Sequence, residues 1–238
     1  MNEAIRGMVH EPSARAAPTA VIFDLDGLIL DSETPEVLAW QATYARYGLD
    51  FPIASWLRNV GRNDRPWDPY APFRARHSPA PPEEVAALWQ AQHDALIQEC
   101  FRPLPGVVPL LGTLKRSGVR TAVASSSRRA WISRVLAELD LQAHFDAAAG
   151  GDEVRRAKPA PDVYLLAALR LSVPPEACVA LEDSVNGVQA AKAAGMVCVA
   201  VPSPLTRQLD FSAADLVVTS LEDLAIETIS ALCAAAKA

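Results

Sequence analysis

The chain repeats one pattern: a short apolar run, a turn, then a longer stretch with helical spacing. Thr19 to Phe23 is apolar and partly β-branched with no helical period, which predicts a buried strand. Runs of the same kind recur at Val119 to Ala124, Phe145 to Ala149, Cys178 to Leu181 and Val197 to Val201. Between them, Val107 to Ser117, Arg129 to Glu138, Asp162 to Leu171 and Val185 to Ala194 read as amphipathic helices, with Gly118 and Gly195 where helix ends want glycine. Strands without alternation, separated by helices, predict an α/β fold: a doubly wound parallel sheet covered on both faces. Leu216 to Thr219 and Leu221 to Ala236 add an edge strand and a closing helix.

The pattern changes between residues 32 and 103. Pro35 to Tyr47 and Glu83 to Cys100 have helical apolar spacing; in the second, Val85, Leu88, Trp89, Leu96 and Cys100 fall near one face. Pro66, Pro69, Pro72, Pro79, Pro81 and Pro82 break any long helix between them, and no strand is expected. The segment holds ten of the fifteen aromatics, among them Trp40, Trp56, Trp67 and Trp89, and nine of the nineteen prolines. It reads as a helical cap (32–103) inserted after the first strand of a core formed by 19–31 and 104–238, with hinges near Asp31–Thr34 and Arg102–Gly106. Residues 1–18 read as a flexible leader without the apolar stretch of a secretory signal. Ligands of open α/β sheets bind at the carboxyl ends of the strands, so such an insert sits over the expected site.

Composition narrows the function classes. Half of the 238 residues are hydrophobic and 21% are charged, which excludes disorder as the main state. A formal net charge of −6 argues against a broad nucleic-acid surface, but not against a charged ligand, because a metal ion or a few placed cations can dominate one pocket. No apolar run approaches the roughly 18 residues of a membrane helix. Cys100, Cys178, Cys198 and Cys233 show no paired spacing and are expected as buried thiols in a reducing compartment. A soluble cytoplasmic protein is the expectation.

Four strand ends carry chemistry. Asp24 and Asp26 follow the first strand in Phe23-Asp24-Leu25-Asp26-Gly27; carboxylates at i and i+2 of an extended chain point to one side. Taken alone, this also fits ordinary strand-to-turn chemistry. Glu182 and Asp183 end another strand, where adjacent carboxylates repel unless a cation or hydrogen bonds relieve them; a helix start is the plain alternative. Three or four oxygen donors converging there suit Mg²⁺. Ser125-Ser126-Ser127 places hydroxyls and amides at a helix start, which suits an anion as well as a simple cap. Lys158, one of four lysines against eighteen arginines, is kept out of helical geometry by Pro159.

In their order along successive strands, the four motifs resemble the haloacid dehalogenase superfamily of aspartate-nucleophile phosphotransferases. The likeness spans residues 20 to about 205. It is strongest to the branch of β-phosphoglucomutase and small sugar-phosphate phosphatases, carried by Asp24–Gly27 with Asp31-Ser32-Glu33, by Lys158–Tyr164, and by Glu182–Gly187. That resemblance implies a helical cap after the first strand, Asp24 as nucleophile forming an aspartyl-phosphate, and Asp26 as the acid and base. It further implies Mg²⁺ held by Asp24, Glu182, Asp183 and the Asp26 carbonyl, with Ser125, Ser126 and Lys158 gripping phosphoryl oxygens. An acid at Asp26 implies an alkoxide leaving group, hence a small phosphate ester as partner, and the branch default is a monomer.

The sequence departs from the mutases in two places. Glu36 stands where they carry a histidine, and Arg62 and Arg65 bracket the cap arginine without a clear match. Ala157 also replaces the usual glycine before the lysine. A phosphatase is therefore expected, with a phosphohexomutase as the alternative. A non-enzymatic binding module would have lost a catalytic carboxylate, and none is lost. Arg62, Arg65 and Arg128 are candidates for substrate contact, or else surface arginines.

Overall fold

The computed structural model describes residues 18–62, 67–74 and 80–235. The 1–18 leader, apart from Pro18, and Arg65 lie outside the described residues. Six parallel strands form one sheet in the order β3-β2-β1-β4-β5-β6: β1 Ala20–Phe23, β2 Arg120–Ala124, β3 Ala147–Ala149, β4 Cys178–Glu182, β5 Val197–Ala200 and β6 Leu216–Val217. The order reverses direction at β1, which is where open α/β sheets place their ligands.

Each central strand is buried on both faces, and the two faces are built differently. Val21, Phe23, Val123, Val179, Leu181 and Val199 pack on one side against helices α4 Val107–Arg116, α5 Arg129–Glu138 and α8 Ile226–Ala235. Ala20, Ile22, Ala122, Ala124, Ala180 and Ala200 pack on the other against α6 Asp162–Leu171 and α7 Val185–Ala193. Small side chains on the second face let these two helices approach the sheet closely. Element bounds differ from the sequence expectation in places, β6 among them, which ends at Val217. The closing helix starts at Ile226 after a 3₁₀ turn over Leu221–Asp223, and Phe145 precedes β3, placing its ring edge-on to Phe23 at 5.7 Å.

Between β1 and β2 the described residues are helical: α1 Glu33–Arg46, α2 Ile53–Leu57, a 3₁₀ turn at Ala71–Arg74 and α3 Pro82–Cys100. The short α2 was not expected from the periodicity; five residues are too few to show a helical period. Trp40, Tyr44, Phe73 and Val85 form an apolar cluster of their own, with edge-to-face ring contacts such as Tyr44 to Phe73 at 4.9 Å. A second cluster, Val37, Trp56, Leu57 and Val60, reaches Leu205 and Leu209 beyond β5. The two connections to the core run side by side. Leu104 N–H donates to Ile29 O at 2.8 Å, and Leu30 bridges Pro103 in antiparallel fashion.

Candidate active site

Parallel register fixes the site. Phe23 pairs with both Val123 and Leu181, so the next residues along the three strands, Asp24, Ala124 and Glu182, emerge at one level. The Asp24 amide continues the ladder to Leu181 O at 3.0 Å. Asp24, Lys158, Glu182 and Asp183 are then 5%, 1%, 0% and 1% exposed, an unusual depth for four charged side chains.

Lys158 lies at the centre of this group. Its Nζ donates to Asp24 Oδ1 at 2.6 Å, to Glu182 Oε1 at 2.6 Å and to Ala124 O at 3.1 Å, and it stands 4.9 Å from the Tyr164 ring centroid. Glu182 is saturated. Tyr164 OH also donates to Oε1, and the Asp183 amide, the Ser184 amide and Ser184 Oγ donate to Oε2 at 3.1, 3.2 and 3.1 Å. Asp183 is not saturated: its Oδ2 is buried without a partner among the described residues. Gly27, at φ +84°, turns beneath it, and a Cβ there would meet Asp183 Oδ2 at 2.1 Å.

Three carboxylates share one ammonium in this depth, and their titration reflects it. Burial, with Glu182 and Asp26 adding to it and Lys158 opposing it, raises Asp24 from 3.8 to about 7. Burial and the charges of Asp24 and Glu182 push Asp183 well above the carboxylate range. Although burial opposes its charge, Lys158 is raised above its ordinary value by Asp24 and Glu182. The excess negative charge, with one oxygen from each of Asp24, Glu182 and Asp183 within 4.8 Å of one another and an Asp183 oxygen lacking a hydrogen-bond partner among the described residues, fits a divalent cation.

Asp26 stands apart from that cluster. Ser32 Oγ and Trp131 Nε1 donate to its Oδ1 at 2.7 and 3.0 Å, and Ser127 Oγ and Ser125 Oγ to its Oδ2 at 2.6 and 3.1 Å. Asp24, Asp26 and Ser125 open onto a cavity of about 850 Å³ whose far wall is formed by the inserted helices. Ser126, Arg62 and Arg128 line it too. Ser126 Oγ donates to Gly61 O at 2.6 Å, so it ties the insert to the core. Lys158 and the Glu182/Asp183 pair are brought to Asp24, and Ser125 to Asp26.

Sequence reasoning named every member of the acidic cluster except Glu33. Glu33 is buried, its Oε2 has no partner among the described residues, and burial and the neighbouring Asp183 raise it well above its usual range. Tyr164, Ser127, Ser32 and Trp131 were also missed as site residues. The first three sit inside motifs already singled out; Trp131 had no signal beyond its place on the helix after the serines.

A haloacid dehalogenase-like hydrolase model matches residues 18–195. The chain belongs to the haloacid dehalogenase-like hydrolase family. Within this family of enzymes it is 36% identical over 226 residues to the protein CbbY of Rhodobacter capsulatus, covering 90% of this chain and 98% of that one. It is 36% identical over 208 residues to hexitol phosphatase B of Escherichia coli, covering 86% and 93%. Among solved structures, CbbY of Rhodobacter sphaeroides in complex with xylulose-(1,5)bisphosphate superposes with a TM-score of 0.68 at 30% identity, over 87% of this chain and 96% of that one. Among the described residues no helix is long and apolar enough to cross a membrane.

Proposed function

We propose that the protein is a Mg²⁺-dependent phosphatase of a small phosphate monoester, a sugar or polyol phosphate, working through an aspartyl-phosphate. The observation that carries this reading is the placement of Asp24, with Lys158 against it, and Asp26, with Ser125 against it, on one cavity at the strand ends. Phosphoryl transfer needs positioning and charge neutralisation more than covalent assistance. An anionic nucleophile facing an anionic ester supplies neither by itself.

In this reading an Asp24 oxygen attacks phosphorus while the bond to the leaving oxygen breaks. Its electron pair goes to the leaving oxygen, which takes the Asp26 proton. Water then attacks the phosphorus of the acyl phosphate, gives its proton to Asp26, and the bond to Asp24 breaks to release phosphate. Lys158 and the Ser125 hydroxyl hold phosphoryl oxygens. Asp24, Asp183 and the Asp26 carbonyl would hold Mg²⁺, with Glu182 in the same cluster orienting Lys158 and the Asp183 loop. When bound, the ion neutralises phosphoryl charge.

Residues 32–103 act as the cap and choose the alcohol. Trp89 Nε1 and His93 Nδ1 are buried without hydrogen-bond partners among the described residues, Asp94 Oδ1 standing 3.9 Å from the latter, and both side chains line the cavity with Trp40, Asn59 and Glu36. Aromatic faces with scattered donors and acceptors suit a polyhydroxy group. Glu36, standing where the mutases carry a histidine, favours hydrolysis over a mutase cycle.

The test is a panel of sugar, polyol and nucleoside monophosphates assayed for Mg²⁺-dependent phosphate release. Activity is expected on a sugar or polyol ester and is expected to vanish in Asp24→Asn; activity surviving that change would sink the nucleophile assignment. With β-glucose 1-phosphate and a bisphosphate primer, accumulation of glucose 6-phosphate rather than free phosphate would instead establish the mutase.

A further inference from the structure

The four donors around Asp26 form two unlike pairs. Ser125 and Ser127, on Oδ2, belong to the loop after β2, and their hydroxyls rotate. Once Ser125 turns to a phosphoryl oxygen, Oδ2 gains an open lone pair facing the cavity. Oδ1 has a different neighbour. An indole N–H only donates, so the Trp131 side of Oδ1 accepts at all times and has no room for a proton. Trp131 lies in the first turn of helix α5, and its ring is held edge-on by Phe101 at 6.2 Å and covered by the Arg134 guanidinium at 5.8 Å. It is a fixed donor.

We propose that Trp131 is a positioning residue for the acid: with Ser32 it pins Oδ1, so that Oδ2 is the oxygen that carries the proton and delivers it to the leaving group. The Oδ2–H bond breaks as the bond from hydrogen to the leaving oxygen forms. The inference rests on the reading of Asp26 as the general acid.

The test removes the N–H and keeps the ring. Trp131→Phe is compared with the native protein on glucitol 6-phosphate, whose alkoxide must be protonated, and on 4-nitrophenyl phosphate, whose leaving group needs no proton. The quantity read is kcat/KM, which reports the steps up to loss of the leaving group. A fall of about tenfold is expected on the alkyl ester, the size of one hydrogen bond to a charged group, with less than about a twofold fall on the aryl ester. Inhibition by vanadate should be unchanged, and Trp131→His, which retains a ring N–H, should recover part of the loss. An equal loss on both esters, or none on either, overturns the assignment. Asp26→Asn separates the two levels of the argument. If it spares the alkyl ester, the acid reading itself fails; if it is selective for that ester and Trp131→Phe is not, only the role of Trp131 fails.

Discussion

The Lys158 ammonium donates to Asp24 Oδ1 at 2.6 Å in a setting where neither residue is more than 5% exposed. A buried pair of this kind contributes little net stability compared with an apolar pair, yet breaking it from one side is costly, because the other charge is left behind. Lys158→Met leaves both Asp24 and Glu182 without their cation. It is expected to lower metal-free stability by about 3 kcal/mol and to reduce activity by at least about a hundredfold. Urea denaturation in chelator checks the first expectation; a variant as stable as the native chain would mean that Lys158 does not hold the cluster together.

Stability should depend on pH and metal together. Asp24 titrates at about 7 in the folded chain against an ordinary 3.8, chiefly because burial disfavours its charge. The folded state therefore keeps a proton that the unfolded chain gives up. Stability is fully present below the ordinary value and declines as pH rises through this window to about 7, with Asp183 and Glu33 shifted in the same direction. A divalent cation favours the ionised carboxylates and should flatten the decline. Melting temperatures in chelator and in millimolar Mg²⁺ across the window are the measurement, and a flat metal-free profile would contradict it.

Two glycines inside helices should respond to alanine in opposite senses. At Gly187 in α7 a Cβ would meet Glu182 Oε1 at 1.8 Å, inside the saturated carboxylate. Gly187→Ala should displace Glu182, destabilise the fold by about 2 kcal/mol or more, and impair activity. At Gly112 in α4 the nearest atom is the end of Arg116 at 3.4 Å, so Gly112→Ala should stabilise by about 0.5–1 kcal/mol. Denaturation midpoints compare the pair directly.

Among the described residues, backbone carbonyls of the insert meet side chains of the core. Asn186 Nδ2 donates to Val60 O at 2.8 Å and Arg58 O at 3.2 Å, beside the Ser126 bond to Gly61 O. Asn186→Ala is expected to raise KM for the preferred ester by roughly threefold to tenfold, as two neutral hydrogen bonds warrant, with a smaller effect on kcat. Steady-state kinetics read it; an unchanged KM would remove these contacts from substrate retention.

Much of this was legible because each strand was short, apolar and followed by its functional group. Asp24, Ser125 and Glu182 can be placed together from sequence because a parallel sheet brings successive strand ends to one edge. What was not legible depended on distance along the chain. Trp131 and Asp26 are 105 residues apart, and no local pattern marks an indole for a carboxylate. Trp89 and His93 satisfy a helical apolar stripe equally well whether they fill a core or line a cavity. Glu33 shows the same limit from the other side: its motif was visible, but its closeness to Asp183 depends on the turn at Gly27.

The paired connections at Ile29–Leu30 and Pro103–Leu104 mean that the chain leaves the sheet and returns to it at one point. To the core, the whole aromatic segment is then a surface loop with its ends already joined. Lengthening such a loop is inexpensive, since a doubling costs only about 0.6 kcal/mol of closure entropy. The core that holds Asp24 and Lys158 need not register what hangs from that junction. Under the proposed function, inheritance can therefore exchange the recognition of the alcohol wholesale while the phosphate chemistry stays put, and a new substrate requires no new active site.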